Sequence, residues 1–476
     1  MSTASSAIQT DIPFRLDRLP WSRFHVLVVL GLGITWILDG LEVTIVGSLG
    51  PALQDQETLG LSSAELGMIA SFYVIGAVTG ALAFGWTTDR FGRRLVFYVT
   101  LAIYLLGVLL SALAWNFWSF AGFRLLTGLG IGGEYAAVNS AIDELIPAKY
   151  RGRVDLIVNG SFWLGAAGGA LAAPFLLNQN YFSVNLGWRL GFGIGAVLGS
   201  TILLLRQFVP ESPRWLVTHC RDQEARAIVT EIEGAVAAEA RQQLPPPTER
   251  LTVHPRKSFG LGMIFSAMLD KYRQRSVLAL TLMVAQSFLY NAVFFTFGLI
   301  LAHFYHVENE WIGLYILPLA LGNFCGPLLL GTLFDTIGRR KMIASTFGLS
   351  GLLLIATGLL FGLNYLTAVT QTIAWLIIFF IASPAASSAY LTASEIFPLE
   401  TRALAIACFY ALGTALGGSI APSVFGRLIE SGSSWQVDIG YIVAALLLII
   451  AAIVEIRFGV DAEGKSLESI AEPLSG

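Results

Sequence analysis

Gly85-Trp-Thr-Thr-Asp89-Arg90-Phe-Gly92-Arg93-Arg94 returns 246 residues later as Gly331-Thr-Leu-Phe-Asp335-Thr336-Ile-Gly338-Arg339-Arg340. Gly, Asp, Gly, Arg and Arg keep their places, and each copy lies between two long apolar stretches. A second pair follows at nearly the same offset. Glu144-Leu-Ile-Pro147 with Arg151 matches Glu395-Ile-Phe-Pro398 with Arg402, 251 residues on. Two pairs with nearly one offset describe a half-molecule repeated in parallel. In a membrane protein that arrangement marks carriers in which one half rocks against the other.

Composition places the chain in a bilayer. It is 55% hydrophobic and 13% charged, where an ordinary soluble domain carries roughly 25% charged residues. Spans need about 20 apolar residues, and twelve such stretches run from 24–47 to 436–457. The expected fold is therefore an all-α integral membrane protein with twelve transmembrane helices in two six-helix halves around a central cavity. The divisions are residues 1–23, a first half 24–208, a linker 209–276 with a short helix at Asp222–Arg241, a second half 277–457 and a tail 458–476. Of 29 Lys and Arg, 26 fall on one side of this membrane. The positive-inside rule then makes both termini and the repeated motif cytoplasmic, as in a plasma (inner) membrane carrier. Phe14–Arg23 reads equally as an amphipathic lead-in at the interface or as a solvated tail.

Several classes are disfavoured. No Gly-Lys-Ser/Thr phosphate loop supports direct ATP drive. No His-Glu-x-x-His or Gly-x-Ser-x-Gly pattern supports an enzyme. Cys220, Cys325 and Cys408 are isolated, so neither a disulfide framework, a metal site nor a cofactor is indicated. The partners expected are a small solute, protons and lipid, with no nucleic acid, for a monomeric carrier.

Charges within spans need a partner or a task, since burying one near a helix centre costs roughly 2.5–3.5 kcal/mol. Span 1 holds Asp39 and Glu42, three apart and hence on one side of a helix. Span 4 holds Arg124 and Glu134. At 1.5 Å per residue the span 1 acids and Arg124 reach comparable depth, while Glu134 lies further inward. Two acids facing one arginine favour a proton site over a permanent ion pair, with Glu134 as a second candidate on a proton path. Polar residues of span 7, Gln286, Tyr290 and Asn291, share a helical face. With Asn159 and Trp163 of span 5 and Tyr390 of span 10 they are candidates for substrate contact.

These motifs resemble the major facilitator superfamily over nearly the whole chain. The duplicated Gly-x-x-x-Asp-x-x-Gly-Arg-Arg loop is similar to that superfamily's signature, which latches the cytoplasmic gate. The resemblance implies gating roles for Gly85, Asp89, Arg90, Gly92, Arg93 and Arg94, and for Gly331, Asp335, Gly338, Arg339 and Arg340. Thr336 in place of Arg90 implies a weaker second latch. Pro210-Glu211-Ser-Pro-Arg214-Trp resembles the sugar-porter branch, as do Arg124-Leu-Leu-Thr-Gly128-Leu-Gly130-Ile-Gly132-Gly133-Glu134 and Glu395-Ile-Phe-Pro398 through Arg402. With the repeat partner Glu144 and Arg151, the gating set extends to Glu144, Arg151, Glu211, Arg214, Glu395 and Arg402. Asp39-Gly-Leu-Glu42 is similar to the acid-Gly-aromatic-acid motif of aromatic-acid and metabolite:proton symporters. Tyr390 stands where sugar porters carry tryptophan, and Ala285 where they carry a paired glutamine. A proton-coupled symporter of a small organic acid is the expectation. The alternatives are a sugar or sugar-acid porter and, less favoured, a transporter-like nutrient sensor.

Overall fold

The computed structural model describes residues 8–178, 180–206, 209–241, 244–247, 250–253, 266–294, 296–418 and 421–472. Part of the expected linker, including 254–265, lies outside the described residues. The first half contains α2 (Arg23–Gln54), α3 (Ser63–Phe91), α4 (Arg93–Ala112), α5 (Phe117–Leu145), α6 (Arg151–Gly160), α7 (Phe162–Leu176) and α8 (Val184–Arg206), where α6 and α7 form one span. A short α1 (Ile12–Asp17) precedes them. After α9 (Pro213–Thr218) and α10 (Asp222–Ala240) the second half begins with α11 (Arg273–Leu289) and α12 (Phe297–Tyr305). It continues through α13 (Asn309–Thr336), α14 (Arg339–Gly362), α15 (Ala368–Glu395), α16 (Arg402–Gly413), α17 (Ala421–Glu430) and α18 (Ser434–Phe458), and α19 (Leu467–Ile470) lies in the tail.

Among the described residues nine helical stretches are long and apolar enough to cross a bilayer. Three further segments sit where the repeat requires a span: α5, α8 and the interrupted α16–α17. α5 carries Arg124, Glu134, Asp143 and Glu144, which weakens its apolar signal. Leu30, Ile75, Leu171, Leu329 and Ile453 are among many large apolar side chains left exposed around the bundle. An exposed apolar surface of that extent belongs against lipid. Trp115, Trp118, Tyr181, Trp311, Tyr365 and Trp435 are more than half exposed at the end opposite the motif loops, where aromatic rings anchor a bilayer boundary. Capping boxes at Ser62/Glu65, Asn116/Ser119 and Thr367/Thr370 start α3, α5 and α15 at that same far face.

The helix pairs repeat with the sequence. α3 packs on α5 as α13 packs on α15, and α4 on α8 as α14 on α18. Across the halves, α3 meets α16 and α13 meets α6 and α7. Gly85 permits the first crossing, because a Cβ there would stand 2.6 Å from that of Ala407. Two π-helical turns, Tyr290–Phe294 after α11 and Thr414–Gly418 after α16, interrupt the first and fifth spans of the second half. Such bulges are frequent at functional sites, and both contribute residues to the central cavity.

At the motif face α1 buries Ile12 and Leu16 against Trp215 of α9 and Val229 and Ile232 of α10. The lead-in segment is thus neither a solvated tail nor an interfacial helix, since its apolar side is covered by protein. Arg15 and Arg18 fix it further by bonding Glu233.

Candidate functional site

A cavity of about 520 Å³ lies between the halves. Trp36, Asp39, Tyr73, Arg124, Tyr135, Asn159 and Trp163 line it from one half, and Gln286, Tyr290, Asn291, Tyr390 and Tyr410 from the other. All six residues expected to meet substrate are there. Trp36 stacks on Tyr135 with centroids 4.5 Å apart, and Trp163 on Tyr290 at 5.2 Å. Amides and hydroxyls interrupt these aromatic walls. The Asn159 amide donates to Asn139 Oδ1 at 3.0 Å, and Tyr290 Oη donates to Asn323 Oδ1 at 2.6 Å. The Asn291 amide is turned to the Ser287 carbonyl, 2.8 Å away.

The two span 1 acids take different partners. Glu42 forms an ion pair with Arg124, both nearly fully buried. Asp39 instead accepts from the hydroxyls of Tyr73, at 2.8 Å, and Tyr135. Residues three apart on a helix diverge by about 60° around its axis, enough to aim one acid at the arginine and the other at the cavity. Tyr73 joins both, for the Arg124 guanidinium carbon lies 4.6 Å from its ring centroid, within cation–π range. Among the described residues, Arg124 Nε and Glu42 Oε2 have no hydrogen-bond partner.

Glu134 is buried but does not line the cavity. Its neighbour Tyr135 does. Eleven residues are about three turns, so Tyr135 shares the Arg124 face and Glu134 is rotated off it. Tyr73, Tyr135 and Tyr410 are absent from the residues singled out in the sequence. That helical spacing from Arg124 is the one signal that pointed to Tyr135.

The cavity reaches Leu66 in the first turn of α3, toward the far face. At the motif face the halves are latched. Asp89 accepts the backbone N–H of Leu404 at 3.0 Å and of Ala403 at 3.4 Å, at the start of α16. Asp335 accepts the N–H of Arg153 at 2.8 Å, at the start of α6. Each aspartate therefore sits on a helix N-terminus of the other half, where unsatisfied N–H groups and the helix dipole favour an anion. Each also pairs with its own arginine, Asp89 with Arg93 at 3.3 Å and Asp335 with Arg339 at 2.6 Å. Arg402 reaches Glu144 at 3.5 Å and Arg151 reaches Glu395 at 3.8 Å across the same gap.

Arg90 lies over the rings of Trp86 and Phe91, and its only described contacts are within its own helix. Thr336 in its place therefore forfeits no described contact across the halves. Gly92 and Gly338 adopt φ of +98° and +117° at the turns into α4 and α14, a region L side chains avoid. Glu211 accepts the N–H groups of Arg93 and Arg94, at 2.9 and 3.2 Å, and Glu463 that of Arg339 at 3.2 Å. Burial raises the Glu211 carboxyl above its ordinary pKa, against the pull of these N–H groups and the Arg93 cation. Arg214 ties Asp17, at 2.9 Å, to Glu468, at 2.6 Å. Arg340 bonds the Ile456 carbonyl, and Gly331 lies against Arg153. Asp17, Glu463 and Glu468 were not anticipated, although Glu463 holds the repeat position of Glu211.

Over 466 residues the chain is 28% identical to the niacin transporter NiaP of Acinetobacter baylyi, an alignment covering 97% of this chain and 99% of that one. A structure of the proton:xylose symporter XylE bound to 6-bromo-6-deoxy-D-glucose superposes with a TM-score of 0.76 at 20% identity, covering 94% of this chain and 98% of that one. The inward open conformation of XylE from E. coli gives 0.63 at 20% identity, covering 94% and 99%. Relatives and fold are those of carriers, not enzymes, and the model for sugar (and other) transporters matches residues 44–474, so the chain belongs to that family.

Proposed function

We propose that the protein is a proton-coupled symporter of a small aromatic or heteroaromatic organic acid, working by alternating access as a monomer. It would sit in the inner (plasma) membrane with its termini and motif loops cytoplasmic. The observation that carries this reading is the division of labour between Asp39 and Glu42. Asp39 and Arg124 stand in the cavity wall and Glu42 already pairs with that arginine, so an anionic solute entering with Asp39 ionised adds to an existing negative excess. Protonation of Asp39 removes that excess, which couples proton and carboxylate binding in one site. Arg124, which lines the cavity, offers a carboxylate a charge-assisted donor. The aromatic pairs Trp36–Tyr135 and Trp163–Tyr290 offer a flat ring apolar faces, in a volume suited to a small molecule. The whole-length likeness to a niacin transporter supports a pyridine carboxylate as the first solute to test.

The test is a flux screen in proteoliposomes with an enclosed pH dye. Pyridine carboxylates, other aromatic acids, sugars and sugar acids are added singly. Saturable acidification by an aromatic acid, with uphill accumulation lost and exchange kept in Asp39→Asn, is the expected result. Proton-linked uptake confined to sugars refutes the substrate class. Uptake without proton movement refutes the coupling.

A further inference from the structure

The motif-face network contains two buried carboxylates that no latch contact uses. Asp143 on α5 and Asp155 on α6 face each other and Glu395 of the opposite half. Both are 0% exposed, and among the described residues none of their four oxygens meets a well-aligned hydrogen-bond partner. Ser394 and Asn159 are the neutral donors beside them, and each is also committed to another acceptor. Ser394 Oγ donates to the Leu391 carbonyl at 2.6 Å, and the Asn159 amide to Asn139 and to the Asp155 carbonyl.

The cations facing the pair are engaged as well. Arg151 and Arg402 face Asp143, and Arg339 faces Asp155. Arg151 pairs with Asp17 at 3.2 Å and Glu395, and Arg402 with Glu144. Arg339 pairs with Asp335 and with Glu395 at 3.0 Å. Two fully buried carboxylates that face each other and a third, with the neighbouring arginines shared among other acids, cannot all remain ionised.

We infer that the closed gate binds a proton on the Asp143–Asp155 pair, and that opening the motif face releases it. Asp143, Asp155 and Arg151 belong to one half, and Glu395, Arg402 and Arg339 to the other. When the halves part, Glu395 withdraws its negative charge from the pair and its claim on Arg151. Water enters, the carboxylic O–H bond breaks, and the proton passes to that water on the motif side. Arg151 then balances the newly ionised acid. Acidity on the motif side therefore holds the gate shut, by up to about tenfold in the closed-to-open ratio per pH unit for one proton. This site is separate from Asp39 and stands whether or not Asp39 couples transport.

The experiment is infrared spectroscopy of the purified carrier at neutral pH in an Asp39→Asn background, which removes the cavity acid from the spectrum. A buried carboxylic C=O band, shifted in deuterated water and lost in both Asp143→Asn and Asp155→Asn, is expected. A spectrum without that band, or a band that survives both substitutions, overturns the proposal. Spin labels at the exposed Lys149 and Lys341 positions of the two halves follow the gate in the otherwise native chain. The open fraction should rise with pH and stay low at every pH in the Asp143→Asn/Asp155→Asn double variant. A pH-independent distance in the otherwise native chain removes the link to gating.

Discussion

Replacing Asp89 by Asn tests the latch most sharply, because the repeat supplies its own control at Asp335. Asn keeps one oxygen for a backbone N–H of α16 but loses the charge that faces the helix terminus and Arg93. Hydrogen bonds to charged groups contribute about 1.5–3 kcal/mol. The nearby Glu144 and Asp89 repel each other, which places the expected loss toward the lower figure, about 1.5 kcal/mol. At 1.4 kcal/mol per factor of ten, the open population should rise about tenfold. Cys408, buried on α16 in the closed form, reports opening by its alkylation rate in a Cys220→Ser/Cys325→Ser background. Asp335→Asn should give a similar increase, because it caps α6 as Asp89 caps α16 and because Arg90 takes no part in either cap. The reasoning fails if labelling is unchanged in both variants, or if Asp335→Asn is silent while Asp89→Asn is not.

Glu42→Gln leaves Arg124 buried without its anion, so a stability loss of about 3–5 kcal/mol is expected, read as a fall in melting temperature, whereas Asp39→Asn should leave melting nearly unchanged. Tyr135→Phe removes one donor from Asp39 and should shift the pH dependence of uptake without abolishing exchange. His219, held to about 4 by burial on the Trp215 ring and only partly opposed by its bond to the Trp215 carbonyl, should make the motif face sensitive to acid. Its folded pKa lies below the unfolded value of about 6.5, so stability is full above that value and falls by about 3 kcal/mol as pH drops toward 4. In His219→Gln the melting temperature should lose that part of its acid dependence.

The fold was legible because its signals were long. Apolar stretches and two offset-matched motifs survive an error of several residues at any boundary, and the repeat settles which helix answers to which. The cavity was legible where polar or aromatic residues interrupt an apolar face at helical spacing, as Gln286, Tyr290 and Asn291 do. What sequence left open was direction around a helix axis at positions where a turn of 60° changes the chemistry. Asp39 and Glu42 appeared as equivalent acids facing one arginine, and Glu134 appeared as a proton-path residue beside an unremarked tyrosine. In the folded chain Glu42 takes Arg124, Asp39 takes two tyrosine hydroxyls, and Tyr135 rather than Glu134 lines the cavity. Asp143 and Asp155 were hidden for a different reason. A buried acid announces itself by the donors it lacks, and that becomes visible only once every arginine around it has been matched to another carboxylate. The same closed network that locks the motif face thus leaves these two acids without a cation of their own, so its opening and their ionisation are one event.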